Sequence, residues 1–346
     1  MMIMGVLRVP ALFVLVLLLS AGAVSAHSPL LADGNTSPGT AMEIEDTVKS
    51  WAIYSHLPQG EALYYTFDID EGDRLLLNLI VPVQDGDDGF RPRMAFMAPG
   101  IPNEGALPSW VEVPEGYGYV VIDAALPETA TYEGFSPSSF YDLGRTDEPA
   151  PVSGRYYVTV FAPASQEGNF ALVVGYGESF TVQEWLLMPF SLYSVYHWEG
   201  QGPLEILAPM LFIFLLGSLL IMYYHGRRAE PLDLQHSLFM LSGLLLAGTA
   251  AITLFQTLIS VRDSHLGPEV MISIALFLVQ ASLGAVVSRR GWKVGPLTKV
   301  GRVRMIIVGL LAVLAWAGYL VGPVLIIVAA LLPERIAGWP GQNTPK

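Results

Sequence analysis

The run Ile206–Tyr224, ILAPMLFIFLLGSLLIMYY, is nineteen residues without a charge, and His225, Gly226, Arg227 and Arg228 follow it directly. A helix rises about 1.5 Å per residue, so a run of this length covers a hydrocarbon layer ~30 Å thick. The arginines behind it form the flank that halts transfer through a membrane. The chain divides here. From His27 to Glu205 there are 26 Asp and Glu against 6 Lys and Arg; from Ile206 to the end there are 5 against 11. Overall, 346 residues with 52% hydrophobic and 14% charged composition give a mean hydropathy of +0.48, and the apolar excess lies in the second part. That is too apolar for an ordinary soluble protein.

Downstream of this run, three more apolar stretches read as spans: Leu238–Val261, Val270–Val287 and Met305–Leu332. The last is 28 residues long and contains Gly322-Pro323, which predicts a tilt or a kink there. Loop charge orients the four spans. With the N-terminal part outside, Arg227, Arg228, Arg289, Arg290, Lys293, Lys299, Arg302 and Arg304 lie inside, against Arg262, Arg335 and Lys346 outside. This follows the positive-inside rule and sends the tail 334–346 outside. The spans carry no Asp, Glu, Lys or Arg at bilayer depth, which weighs against ion-coupled transport and voltage sensing. Their polar set is Gln256, Gln280, Thr249, Thr253 and Ser273, suited to hydrogen bonds between helices, while Gly217, Gly243, Gly248, Gly309 and Gly318 suit close helix contact.

Upstream, Val182–His197 and Trp198 bring Trp185, Phe190, Tyr193 and Tyr196 next to the first span. Amphipathic aromatics in that place belong at headgroup level, so residues 182–204 are expected to form an interfacial segment, interrupted near Pro189. Residues 1–26 have the three regions of a secretory signal peptide: Arg8, the apolar run Ala11–Leu19, and Val24-Ser25-Ala26 at a cleavage point. Residues 27–42 read as a flexible tail rich in Pro, Gly, Ser and Thr, with a glycosylation sequon at Asn35-Thr36-Ser37.

Between them, 43–181 shows short aromatic and β-branched runs divided by turn residues. Strands are expected at Ser50–His56, Ala62–Asp68, Arg74–Val81, Arg93–Met97, Tyr117–Asp123, Arg155–Ala162 and Asn169–Tyr176, with a hairpin turn at Asp70-Glu71-Gly72-Asp73. Seven short strands favour an all-β sandwich. The segments ALYYTFDIDEGDRLLLNLIVP and SGRYYVTVFAPASQEGNFALVVGY resemble the bacterial and archaeal pre-peptidase C-terminal (PPC) domain, a sandwich akin to jelly-roll carbohydrate-binding modules. The resemblance makes Tyr64, Tyr65, Phe67, Gly72, Tyr156, Tyr157, Val158 and Val160 scaffold residues and implies a non-catalytic binding module on a cell surface. Pro82–Arg91 and Pro127–Pro151 depart from the family pattern by being longer and richer in Pro and acids. The expected whole is a jelly-roll-like β-sandwich outside the cytoplasm joined to an α-helical four-helix transmembrane bundle at residues 205–333.

Composition removes several chemistries. So acidic an outer domain repels nucleic-acid phosphates and suits a solvated surface or one that meets cations. The absence of cysteine removes disulfides, thiolate metal sites and cysteine nucleophiles. The sequence holds no Gly-x-Ser-x-Gly elbow, HExxH, P-loop or dinucleotide fingerprint. Among metal readings, Asp68, Asp70 and Asp73 with Asp85, Asp87 and Asp88 offer hard oxygens for calcium, against which stands a plain reading as solvated acidic turns. His27, at the mature N-terminus if cleavage follows Ala26, offers copper an amine and an imidazole, with His56 a further nitrogen. A haem would pair His225 with His236 or His197 with His265. The leading expectation is a multi-pass plasma-membrane surface protein, not an enzyme, that binds a partner protein, a glycan or a cation outside and lipid through its spans. A redox or copper/haem-handling protein, and a small-solute pore lined by Gln256 and Gln280, are the competing classes.

Overall fold

The computed structural model describes residues 28–228, 233–265, 267–293, 295 and 297–333. Its first part is β-rich: β1 (Ser28–Leu31), β2 (Met42–Glu43), β3 (Trp51–Leu57), β4 (Ala62–Ile69), β5 (Arg74–Pro82), the short helix α1 (Val83–Asp87), β6 (Arg93–Pro99), β7 (Tyr117–Ile122), β8 (Thr131–Glu133), β9 (Ser138–Pro149), β10 (Gly154–Phe161) and β11 (Gly168–Val174). A six-stranded sheet runs β1-β3-β11-β5-β9-β8 and a five-stranded sheet runs β2-β4-β10-β6-β7. Each of the seven expected strands forms. Alternation along them aims Leu63, Tyr65 and Phe67 of β4 with Tyr156, Val158 and Val160 of β10 at Leu75, Leu77 and Leu79 of β5 with Phe170 and Leu172 of β11, in one shared core. Tyr156 stacks between Phe67 and Phe96, with ring centroids 6.0 and 6.2 Å away. The β4–β5 connection closes as expected, Asp73 N–H donating to Asp70 O at 3.1 Å while Gly72 takes φ +88°.

Two stretches differ from their sequence reading. The expected flexible tail is partly structured: β1 pairs in parallel with β3, and Asn35 is buried, its Nδ2 donating to Tyr64 O at 2.9 Å. The sequon nitrogen that would carry a glycan is therefore committed to the core. Residues 127–151, expected as a long connection, hold β8 and the twelve-residue β9, which pairs with β5 through a bulge at Leu79/Ile80.

The second part is helical: α2 (Val182–Trp198), α3 (Pro203–Arg228), α4 (Leu234–Asp263), α5 (Val270–Gly291), α6 (Lys299–Leu314) and α7 (Val321–Leu331). A capping box opens α2, Thr181 Oγ1 accepting from Glu184 N–H at 3.2 Å and Glu184 Oε2 from Thr181 N–H at 2.7 Å. The helix runs unbroken through Pro189, contrary to the expected interruption. Three helices, Pro203–Tyr224 within α3, then α4 and α5, are long and apolar enough to cross a membrane. The first three expected spans lie inside them, and together they mark a membrane protein.

The fourth expected span is corrected. Met305–Leu332 is two helices folded back on each other: Gly309 of α6 abuts Pro323 and Ile327 of α7, and Arg302 at the start of α6 donates to Ala330 O at 2.8 Å and Leu332 O at 2.6 Å at the end of α7. The reversal lies at 315–320, where Trp316, Gly318, Tyr319 and Leu320 all have positive φ. The Gly322-Pro323 pair causes no kink. Pro323 sits in the first turn of α7, where a helix has no use for the missing N–H. The chain at Pro333 thus stands at the same end of the helical region as Lys299.

Candidate functional site

The β region meets the helices through its six-stranded sheet. Trp198, at the end of α2, packs under Ala52, Ile80, Ala171 and Val173 and edge-on to Tyr54, 4.9 Å between centroids. Its indole donates to Phe170 O at 3.0 Å, and its carbonyl accepts from Asn169 Nδ2 at 2.9 Å. Nearby, Lys49 pairs with Glu184 at 2.5 Å. At the sheet edge, Tyr132 Oη donates to Ser273 Oγ of α5 at 2.7 Å, and Ser273 in turn donates to Gly134 O at 2.5 Å. A buried polar group is retained only if partnered, and here the partners come from both halves of the chain.

Glu199 is the strongest electrostatic feature of this seam. It sits in the turn between α2 and α3, where its carboxyl accepts from Ser139 N–H at 3.1 Å and from Gln201 Nε2 at 3.3 Å. Gln201 and Gln256 of α4 exchange reciprocal amide hydrogen bonds at 2.6 and 2.9 Å. Burial, reinforced by the charge of Asp263, pushes the Glu199 carboxyl up to about 8. Glu133 at the end of β8 accepts from Phe135 N–H at 3.0 Å, and burial beside Glu178 pushes it up to about 7.

Below the seam, α4 and α5 support the α6–α7 reversal. Gln280 accepts from Thr253 Oγ1 at 2.9 Å and donates through Nε2 to Ala315 O at 3.0 Å; Thr249 Oγ1 accepts from Gly318 N–H at 2.7 Å. Trp316 donates to Trp185 O at 3.1 Å, the two rings 4.6 Å apart. Irregular backbone at membrane depth needs such side-chain partners, because hydrocarbon offers none.

The five-stranded sheet turns its other face away from the helices. Residues 100–116 cover part of it, Leu107, Val111 and Val113 packing on Tyr64, Met97 and Phe161, and Tyr64 Oη accepts from Glu112 N–H at 2.7 Å. Beside this cover Trp110 is 41% exposed. Tyr117 stands edge-on to Tyr157 at 5.6 Å, and Arg155 pairs with Asp68 and Glu43, each at 3.1 Å. An exposed Trp, a tyrosine pair and an Arg–carboxylate group lie together on this side of the β region.

The sequence-derived residues fall as follows. Asp68, Asp70 and Asp73 lie at one end of β5, and Asp85, Asp87 and Asp88 at the other, a separation of roughly 30 Å for nine residues of strand. Asp68 is held by Arg155, Asp85 accepts from Asn169 N–H at 2.9 Å, and Asp87 accepts from Tyr141 Oη at 3.0 Å. Among the described residues no three His, Asp or Glu side chains converge as a metal site requires. His56 shares a hydrogen bond with Asn169 Oδ1 at 2.9 Å, and His27 lies outside the described residues. His236 uses both ring nitrogens, on Asp233 and on Lys293 O, and the side chain of His225 lies outside the described set. His197 and His265 are exposed. Gln256 and Gln280 are buried and fully engaged with neighbouring groups. Sequence reasoning passed over Glu199, although a lone acid between Glu184 and Glu205 in a stretch so apolar was the available signal. Neither a protein-family model nor a curated protein matches the chain.

Proposed function

We propose that this chain is a multi-pass surface protein of the plasma membrane, not an enzyme, whose β region is a jelly-roll-like, PPC-like sandwich that binds a partner protein, a glycan or a cation outside the cell. The observation that carries this reading is the one-sided attachment of the β region: its six-stranded sheet is committed to α2 and the spans, while the face with Trp110, Tyr117, Tyr157 and Arg155 is directed away from them. The basic ends of the helices stand inside in this reading. Because α6 and α7 fold back, residue 333 belongs inside too, opposite to the expectation from four full crossings; Arg335 and Lys346 then strengthen the inside charge excess.

The natural absence of cysteine makes topology directly readable. Single variants Asp73→Cys, Lys293→Cys and Pro333→Cys are labelled with an impermeant maleimide on intact cells: Asp73→Cys reacts, and the other two react only after lysis. Labelling of Lys293→Cys on intact cells overturns the orientation. For binding, the protein in nanodiscs is screened against glycans, secreted proteins and calcium. Trp110→Ala, at the exposed position, is expected to lose the selected ligand by at least tenfold with an unchanged melting temperature, and retention of full affinity sinks the proposed face.

A further inference from the structure

At the arginine end of the helices, the side chains are arranged around an aromatic floor. Tyr224 of α3 meets Trp292, just past α5, edge-on at 5.8 Å, and Tyr223 packs against Tyr224 at 5.4 Å. The Arg227 guanidinium lies over the Tyr223 ring, 4.5 Å from its centre. Next to Trp292, the Lys293 carbonyl is clamped by Arg290 Nη1 at 2.8 Å and by His236 Nε2, and Arg290 Nη2 holds Gly295 O at 2.8 Å. This clamp fixes the turn after α5 and leaves the Lys293 side chain exposed, beside exposed Arg289. Tyr223 and Tyr224 are 53% and 49% exposed. Cations on a floor of tyrosine and tryptophan, at the end of a span, match a phosphate-bearing headgroup at its ordinary depth: the rings sit among glycerol ester groups while the cations reach phosphate.

We propose that the α3–α5 end formed by Tyr223, Tyr224, Arg227, Trp292 and Lys293 is a binding site for an anionic phospholipid headgroup. The partner is a lipid with net negative charge, because Arg289, one turn before Lys293 at the same helix end, adds an exposed positive charge and Asp233, which would oppose an anion, is already paired with His236. A zwitterionic headgroup gains its phosphate contact but brings a choline cation into a basic surface, so it binds less well. The proposal is independent of what the β region binds.

The test is native mass spectrometry of the full chain in detergent mixed with phosphatidylglycerol or with phosphatidylcholine. Phosphatidylglycerol is expected to remain bound where phosphatidylcholine does not. Near an anionic lipid surface each cation is worth about fivefold in affinity, so Arg227→Gln/Lys293→Gln is expected to lose roughly twenty-five-fold. The charge-preserving pair Arg227→Lys/Lys293→Arg keeps the lipid, which separates loss of charge from loss of fold. Single Lys293→Gln, at an exposed position, supplies a milder variant with about a fivefold loss. Inorganic phosphate at tens of millimolar leaves the lipid in place. Equal retention of the two lipids, full retention by the Gln pair, or displacement by free phosphate overturns the site.

Discussion

Glu199 illustrates how a single residue can make the joint between two regions sensitive to pH. An isolated glutamate titrates near 4.5, whereas burial beside Asp263 carries Glu199 to about 8 and burial beside Glu178 carries Glu133 to about 7. Both folded values are raised, so the folded state binds the protons more tightly than the unfolded chain. Stability from these groups is complete below about pH 4.5 and falls as pH rises through 7 and 8. The melting temperature of the full chain is expected to drop between pH 5 and 9, and Glu133→Gln/Glu199→Gln to flatten that drop. An equal slope in the double variant would remove these carboxyls from the account. Asn35 gives a second single-residue case: with Nδ2 held by Tyr64 O, the sequon is expected to stay unmodified in a glycosylating host, as intact mass will tell.

Among the elements, the α6–α7 reversal carries the most information. Three residues with side chains, Trp316, Tyr319 and Leu320, adopt φ values of 52°, 51° and 61°, a conformation that L-residues hold only when surroundings impose it. Gln280 and Thr249 are among those surroundings. Gln280→Leu strands Ala315 O and leaves Thr253 Oγ1 only its own-helix acceptor, Thr249 O, for an expected loss of about 1–3 kcal/mol, read as a lower melting temperature in detergent. Were Gln280 lining a pore instead, the same substitution would change solute flux in liposomes while leaving the melting temperature alone. The polar set of the spans was legible from sequence as a set of hydrogen-bonding groups, but only Thr253 and Gln280 join one span to another; Ser273 reaches Gly134, Gln256 reaches Gln201, and Thr249 and Gln280 hold the reversal. The reversal itself was not legible. VLAWAGYLVGP is apolar throughout, so hydropathy registers one long span and is blind to the direction in which the chain runs. Likewise β9 escaped notice because SSFYDLGRTDEP has inward groups only in its first half, and its pairing with β5 is a long-range fact. The seven strands that were found each carry their own alternation and turn signals.

For the molecule as a whole, residues 100–116 pack on the five-stranded sheet, and the six-stranded sheet meets α2. Trp198 sits at that last boundary. Trp198→Ala removes its packing under Ala52, Ile80 and Ala171 together with the bond to Phe170 O, for an expected loss of about 3–5 kcal/mol at that boundary. Limited proteolysis is expected to cut such a variant near residues 175–182 and release an intact β region, whereas uncut protein under conditions that spare the wild type would show that the boundary is held elsewhere. The way in which the strands lead into α2 has a mechanical corollary. The strand that precedes the tether, β11, is not an edge: it is flanked by β3 and β5, and Gly177 just beyond it donates to Val48 O and accepts from Ser50 N–H. Tension applied to the outer part of the molecule, by a captured ligand or by flow, is therefore carried into two ladders at once and loads them in shear, so the tether fails only when the middle of its sheet does.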